Sequence, residues 1–410
     1  MNSRIILLIL VLLIQLNFFN LSIIPLSIIE NLLKFVQWVM IFIGIILSLR
    51  KQTKFGSFFI IIGCSLLVNF MSSSYFRNQD ILVSLKTSLF LAQIFFYYFL
   101  VAYDASIKSV EKLIVLFSVA LFILFIAQYF LYPIKIFNSD IGVSTISTEV
   151  VRWTFYGQGF LSLGLLFAFN KFHERKNLKF LFLTIILSLY FLLQGSRSII
   201  IAIVLAFLFL LYKKGYLKIS SKNVAAFVVF LLFGILMLNI PQVNNVINYS
   251  INRSIEDQNS KEDYVRFLQL DYFVNSHSKN STEFILGSGL PGDSEYGRKM
   301  NLNADASTNA FPINWVDLGF IGLAIIVGFP FSISIFYFLA KEGFKKKCDS
   351  RFYYIQSWYV YLILSTIFYP TAFIGGNMIV IALTMYILYK GNKKKLVKNS
   401  YGALNYNTRL

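Results

Sequence analysis

Two arginines of this chain are candidate functional residues. Arg197 lies in the short polar break Gln194–Ser198, between two apolar runs. A guanidinium group can bind a phosphate through two parallel hydrogen bonds, and a charge held between apolar runs is a functional candidate. Arg197 could therefore hold a phosphate. A loop arginine whose side chain reaches lipid headgroups fits the same position equally well.

Arg266 is the second candidate phosphate ligand, because it lies among apolar residues within a long polar segment. Asp263 and Asp271 flank it, so a structural salt bridge is an equal alternative. Arg152 stands beside Trp153 at the start of an apolar run. An arginine in that position usually anchors a helix at the membrane interface, and we keep Arg152 as a candidate substrate ligand.

Carboxylates and a polar stretch supply the candidates for proton transfer. A carboxylate close to a reacting hydroxyl group can act as its general base, and the candidates are Asp293, Asp305 and Asp317. Asp317 falls inside an apolar run, where an unpaired carboxylate is costly, so we expect it to pair with an arginine. Thr308 and Asn309 precede that run, and an N-cap is the plain explanation for Asn309.

Membrane-spanning helices must position these residues. Hydrophobic residues make up 57% of the 410, and the mean hydropathy is +0.68. The apolar runs are continuous and about 20 residues long, which is the length of a transmembrane helix; a β-barrel would alternate with period two. The predicted spans are 5–24, 27–49, 55–72, 81–102, 112–132, 154–170, 178–194, 198–212, 223–240, 311–339, 352–369 and 372–389.

The basic residues indicate the orientation of these spans. With the N-terminus in the cytoplasm, 25 of the 37 Lys and Arg residues, but only five of the 19 acids, fall on cytoplasmic segments. This agrees with the positive-inside rule. The net charge of +18 is therefore a topology signal and does not indicate a nucleic-acid partner. The sequence predicts an all-α polytopic membrane protein with about 12 transmembrane helices and both termini in the cytoplasm.

Four regions follow from this topology. Residues 1–240 hold about nine transmembrane helices, and 241–310 form one large external loop. Residues 311–390 hold the remaining helices, and 391–410 form a basic cytoplasmic tail. Within the loop, the spacing of apolar residues over 264–274 predicts a short amphipathic helix near the membrane surface.

The sequence lacks the motifs of several enzyme and cofactor-binding classes. The chain has no phosphate-binding Walker loop, no dinucleotide fingerprint, and neither the HExxH nor the GxSxG motif. Its two cysteines and two histidines are too widely separated for a metal centre. We predict neither a metal nor another cofactor. His277 is the one histidine predicted to be external and is a weaker candidate base.

A series of short motifs resembles the superfamily of O-antigen polymerases (Wzy) and O-antigen ligases (WaaL). The resemblance covers 194–322, about a third of the chain. Its elements, in order, are Gly195-Ser196-Arg197, Arg266, Leu286-Gly287-Ser288-Gly289 and Asp317-Leu318-Gly319-Phe320-Ile321-Gly322. The resemblance implies glycosyl transfer at the external face of the bacterial cytoplasmic membrane. The donor would be a glycan linked to undecaprenyl diphosphate.

The resemblance also implies roles for particular residues. Arg197 and Arg266 would hold the diphosphate, while Gly287, Gly289 and Asn309 match substrate-binding positions. Asp317 matches the acidic position.

Where ligases of this superfamily carry a histidine, this chain has Thr308. Threonine is not a useful general base, so the departure favours a polymerase. Its partners would be lipid-linked glycans as donor and acceptor, the bilayer, and a separate chain-length regulator. A ligase, or a flippase or other transporter with a similar number of spans, remains an alternative.

We expect Arg197→Ala and Arg266→Ala to lower polymer yield and length, because each removes a cation that stabilises the leaving diphosphate. Lysine at either position should restore part of the activity, because it keeps the charge but not the bidentate geometry. The readout is electrophoresis of the polysaccharide, with membrane insertion of each variant checked by immunoblot. Normal polymer from correctly inserted variants would contradict the assignment of both arginines.

Overall fold

The described part of the chain is helical throughout. The computed structural model describes residues 3–24, 26–49, 54–131, 134–138, 155–194, 196–216, 265–302, 314–374 and 376–407. Within these ranges, extended pairing is limited to a single antiparallel bridge between Leu21 and Phe137. The all-α prediction is confirmed for this part of the chain. The predicted span 223–240 and the first part of the external loop lie outside the described residues.

Sixteen α-helices follow in chain order within these described ranges. They are α1 Ser3–Gln15, α2 Leu26–Ser48, α3 Gly56–Arg77, α4 Ile81–Ala92, α5 Phe96–Tyr103, α6 Ile107–Leu131, α7 Gln158–Arg175, α8 Leu178–Gln194, α9 Arg197–Lys213, α10 Val265–Asp271, α11 Ser281–Leu286, α12 Glu295–Leu302, α13 Gly319–Val327, α14 Phe329–Gly343, α15 Tyr353–Phe368 and α16 Asn377–Asn407. A π-helical turn, Tyr272–His277, continues α10, and a 3₁₀ turn, Trp315–Leu318, precedes α13.

Four helices of the described part are long and apolar enough to cross a membrane. They are Glu30–Ser48, Gly56–Arg77, Ile81–Tyr103 and Ile107–Leu131. The third combines α4 and α5 through a 3₁₀ turn. Large apolar side chains on the outer faces of these helices are exposed, among them Ile60, Leu67 and Ile123. A hydrocarbon environment is the medium in which such a surface is stable.

Two predicted spans are broken in the structure. The span 5–24 is helical only as far as Gln15, because Asn17 to Asn20 adopt positive φ angles that an α-helix does not accommodate. The span 311–339 is divided between α13 and α14 at Gly328, whose φ is +107°. Hydropathy does not register either break, because most residues on both sides remain apolar.

Three helices, α7, α15 and α16, form the centre of the bundle. In each of them, long continuous stretches of residues are buried, including polar ones such as Ser162, Ser357 and Thr384. Helices that are buried on all sides lie in the interior of a bundle. Two of these side chains are satisfied locally, since the Trp358 indole donates to Ser162 Oγ at 2.8 Å and the Tyr359 hydroxyl lies 2.9 Å from Thr384 Oγ1. Ser357 Oγ has no hydrogen-bond partner among the described residues. The outer helices α5, α6, α9 and α14 pack against α15 or α16 of this centre.

One close helix crossing lies between α2 and α5. A Cβ atom added at Gly44 would lie 2.6 Å from the backbone nitrogen of Phe99 and 2.8 Å from its Cα atom. Small residues allow such close contact between membrane helices. Gly63 on α3 differs, because the nearest atom to an added Cβ is Phe95 Cζ at 3.6 Å, an ordinary contact.

We expect Gly44→Ala to destabilise the protein by about 1–3 kcal/mol, because the added methyl group forces α2 away from α5. Gly63→Ala is the matched control and should leave stability unchanged or raised, since alanine favours helix. Thermal unfolding of the two purified variants in detergent measures the difference. Equal midpoints would show that the α2–α5 crossing tolerates a side chain at Gly44.

Candidate functional site

Residues 265–302 cover one end of the bundle, which we call the covered end. Their Gly287–Gly289 stretch enters the gap beside the α13–α14 break, where Ser288 N donates to Ile325 O at 3.2 Å and Gly289 N to Ile326 O at 2.9 Å. On the other side, the Gln79 side chain donates to Leu290 O and accepts from Gly292 N, both at 2.9 Å. The segment is therefore held between the α3–α4 turn and α13.

The two glycines of this stretch are required by close packing. Gly287 and Gly289 have φ angles of +89° and +83°. A Cβ at Gly287 would lie 2.5 Å from the backbone nitrogen of Gly328, and one at Gly289 would lie 2.2 Å from Ser73 Cβ. Any larger residue would displace the segment from the bundle. Substrate binding by these glycines stays a prediction.

A buried ion pair fastens the segment to the end of α3. Arg77 Nη2 lies 2.5 Å from Glu283 Oε1, and the Glu283 side chain is fully buried. The same guanidinium donates to His277 O at 2.5 Å and stacks over the Tyr296 ring at 5.2 Å. Glu283 Oε2 also accepts a hydrogen bond from Lys279 N at 2.7 Å. A pair with this many partners fixes the segment in one position.

His277 is part of this packing and is shielded from any acceptor hydroxyl. Its ring is 2% exposed and lies against Phe273 and Tyr296, and its Nε2 is 2.9 Å from Ser288 Oγ. Burial, together with the positive charge of Arg77, lowers the pKa of His277 to about 3. The imidazole is neutral at ordinary pH.

Arg197, Arg266 and Asp317 belong to neighbouring elements at the covered end. Helix α10, which carries Arg266, packs on the 3₁₀ turn that carries Asp317. Gly319, directly after that turn, packs against the backbone at the end of α15. Helix α15 runs alongside α9 in the opposite direction, with Lys214 Nζ 5.8 Å from the Tyr353 ring centroid. Arg197, the first residue of α9, therefore lies near the end of α15.

The surroundings of Arg197, Arg266 and Asp317 differ partly from those that the sequence predicts. Both arginines are exposed. Asp317 is half-buried and lies in the turn before α13, not inside a continuous span, because Asn314 caps the turn by accepting from Val316 N at 3.1 Å. Arg152, Asp305, Thr308 and Asn309 lie outside the described residues, so their predicted roles stay predictions.

A cavity of about 560 Å³ lies at the covered end between α2, α4 and the segment 291–298. Its charged lining consists of three cations, Lys34, Lys86 and Arg298, and two carboxylates, Glu30 and Asp293. Lys34 and Glu30 form an ion pair of 2.5 Å. Asp293 is exposed on the cavity wall, so of the two candidate carboxylate bases that the structure describes, Asp293 and Asp317, it is the one that lines this cavity.

Amide side chains line the inner part of the same cavity. Asn17 lies in the break after α1, and Gln37 Nε2 donates to its Oδ1 at 2.6 Å. Gln93 Nε2 donates to Gln15 O at 2.7 Å, so it binds the last residue of α1. Irregular backbone is tolerated at membrane depth where it lines a cavity or is buried in protein. The break in α1 thus meets the condition for a polar site between helices.

Sequence reasoning overlooked four of the lining residues, Lys34, Lys86, Gln37 and Gln93. The sequence does indicate these four residues, because each is a polar residue within a predicted apolar span. The charge count leaves Lys34 and Lys86 among the 12 basic residues outside the cytoplasmic segments, and hydropathy does not distinguish the two glutamines from other polar residues of the bundle. Only the convergence of α2, α4 and α1 shows that the four face one space.

Comparisons with known proteins identify no relative. No protein-family model matches the chain, no curated protein sequence matches it, and no solved structure matches its fold.

We expect folding stability to fall by about 2 kcal/mol between pH 7 and pH 5 through His277 alone. In the unfolded chain a histidine titrates near pH 6.5, whereas folded His277 titrates near 3. The unfolded state therefore binds more protons between these values, and stability decreases as the pH falls. Thermal unfolding of the wild type and of His277→Gln at both pH values isolates the effect, and an identical pH dependence in the two proteins would contradict it.

Proposed function

We propose that the chain polymerises oligosaccharide units linked to undecaprenyl diphosphate, forming O-antigen, capsular polysaccharide or exopolysaccharide. In this proposal the protein spans the bacterial cytoplasmic membrane about 12 times with both termini in the cytoplasm, and the covered end faces outward. The motifs between Gly195 and Gly322 support the enzyme class. The alternation of basic loops supports the orientation.

The cavity at the covered end is the observation that carries the proposal. A lipid-linked sugar places its diphosphate at the membrane interface, with the lipid in the bilayer and the glycan outside. The cavity lies between spanning helices on one side and a polar segment on the other, and it combines cations, carboxylates and amides. The cations suit the phosphate, the carboxylates suit the hydroxyl group that is deprotonated, and the amides suit the sugar.

The chemical step transfers the growing chain to a new unit. The hydroxyl oxygen at the non-reducing end of the new unit attacks the anomeric carbon of the growing chain. The bond from that carbon to the diphosphate oxygen breaks, and undecaprenyl diphosphate leaves with the bonding electrons. A carboxylate accepts the hydroxyl proton. Asp293 is the preferred base because it lies on the cavity wall, while Asp305 and Asp317 remain further candidates.

Cations at the covered end stabilise the charge that develops on the leaving group. Arg197 and Arg266 lie on neighbouring elements at this end and are both exposed. Preorganised cations provide such stabilisation without a divalent metal, so the proposed reaction is metal-independent. No other cofactor is part of the proposal.

One observation favours a flippase as the second candidate function. Substrate sites of transporters lie at broken helices near the bilayer midplane, and the break after α1 contributes Asn17 to the cavity. The charged residues of the cavity come from the covered end, however, and the segment 291–298 forms one of its walls. A site built from one end of the bundle fits transfer at that face better than passage through the membrane.

Deletion of the gene, followed by electrophoresis of the surface polysaccharide and analysis of undecaprenyl-linked glycans, tests the proposal. We expect single repeat units to replace the ladder, and complementation with Asp293→Asn to fail because an amide cannot accept the proton. Glu295→Gln is the matched control, since it removes an exposed carboxylate of the same segment that does not line the cavity.

Other outcomes identify other functions. Long chains that persist on undecaprenyl would indicate a ligase. Repeat units retained on the cytoplasmic leaflet would indicate a flippase.

A further inference from the structure

We propose that Lys86 and Arg298 bind the diphosphate group of a lipid-linked substrate inside the cavity. The identity of the lipid rests on the proposed function. The phosphate chemistry rests on the cavity alone. These two residues belong to elements other than those that carry Arg197 and Arg266, so the proposal adds ligands that the sequence motifs do not indicate.

Lys86 lies within a predicted spanning helix and forms no ion pair with a described residue. It is the sixth residue of α4, so it lies about 7–8 Å along the helix axis from the first residue. Arg298, which also lines the cavity, likewise forms no ion pair with a described residue. Both side chains are exposed, so an anion that enters the cavity can reach them. A phosphate ester supplies that anion.

The remaining charges of the cavity leave Lys86 and Arg298 as its principal anion ligands. Lys34 is paired with Glu30 at 2.5 Å, so its charge is already matched. Asp293 stands on the wall contributed by the same segment as Arg298. One cation thus comes from a spanning helix and the other from the covering segment. A diphosphate, with two linked phosphates, can bridge two cations that face it from different sides.

Binding of undecaprenyl diphosphate to the full-length protein in lipid nanodiscs, measured by native mass spectrometry, tests this assignment. We expect Lys86→Gln and Arg298→Gln each to weaken binding by about 10- to 100-fold, which is typical of losing one hydrogen bond to a charged group. Lys135→Gln removes an exposed cation elsewhere and is the control that should bind as the wild type does. Thermal unfolding confirms that each variant is folded.

Two further probes identify the chemistry that is recognised. Undecaprenol, which lacks phosphate, should show no dependence on Lys86 or Arg298. Inorganic diphosphate that competes with undecaprenyl diphosphate for the wild type, but not for either variant, would show that the phosphate groups alone are recognised. Competition by the lipid form only would place the lipid in the site as well. Unchanged affinity for undecaprenyl diphosphate in folded Lys86→Gln and Arg298→Gln would overturn the proposal.

The two proposals can fail separately. Binding that depends on Lys86 and Arg298, in a protein whose deletion leaves the polysaccharide ladder intact, would retain the diphosphate site and reject polymerisation. A collapsed ladder together with unchanged binding by both variants would retain polymerisation and reject this site.

Discussion

The buried ion pair between Arg77 and Glu283 is the interaction on which the covered end depends. Glu283 is fully buried, and Arg77 also binds the His277 carbonyl and the Tyr296 ring. Loss of one partner from such a pair leaves an uncompensated buried charge and costs about 3–5 kcal/mol. The pair joins the last residue of α3 to the segment that supplies Asp293 and Arg298. Without it, the cavity would lose the wall that these two residues form.

Burial of backbone groups imposes the second constraint. Backbone groups that are shielded from water must be paired within the protein, so the break after α1 needs partners. Gln37 and Gln93 provide them, because one binds Ile14 O and the other binds Gln15 O. The same two glutamines line the cavity. The groups that satisfy the broken helix are therefore also those that make the inner end of the cavity polar.

Much of the fold could be predicted from the hydropathy of the sequence. The helices α2, α3, α6, α8 and α15 coincide closely with predicted apolar runs, because an apolar run of this length has few alternatives to a helix in lipid. The first span was wrong beyond Gln15, and the span 311–339 was wrong at Gly328. In both places the backbone leaves the helix through positive φ angles. Positive φ depends on local contacts, such as the approach of Gly328 to Leu286, and is not evident from apolar composition.

The sequence by itself determined the class of the protein and its chemically unusual residues. Hydropathy, the placement of Lys and Arg, and the motifs around Arg197 and Arg266 are properties of the chain that do not require a fold. Only the tertiary structure decided which residues share a space. Lys86, Arg298, Gln37 and Gln93 are up to 261 positions apart along the chain, yet they line one cavity. Their convergence depends on how α2, α4 and the segment 291–298 pack, and helix packing is a property of surfaces in three dimensions.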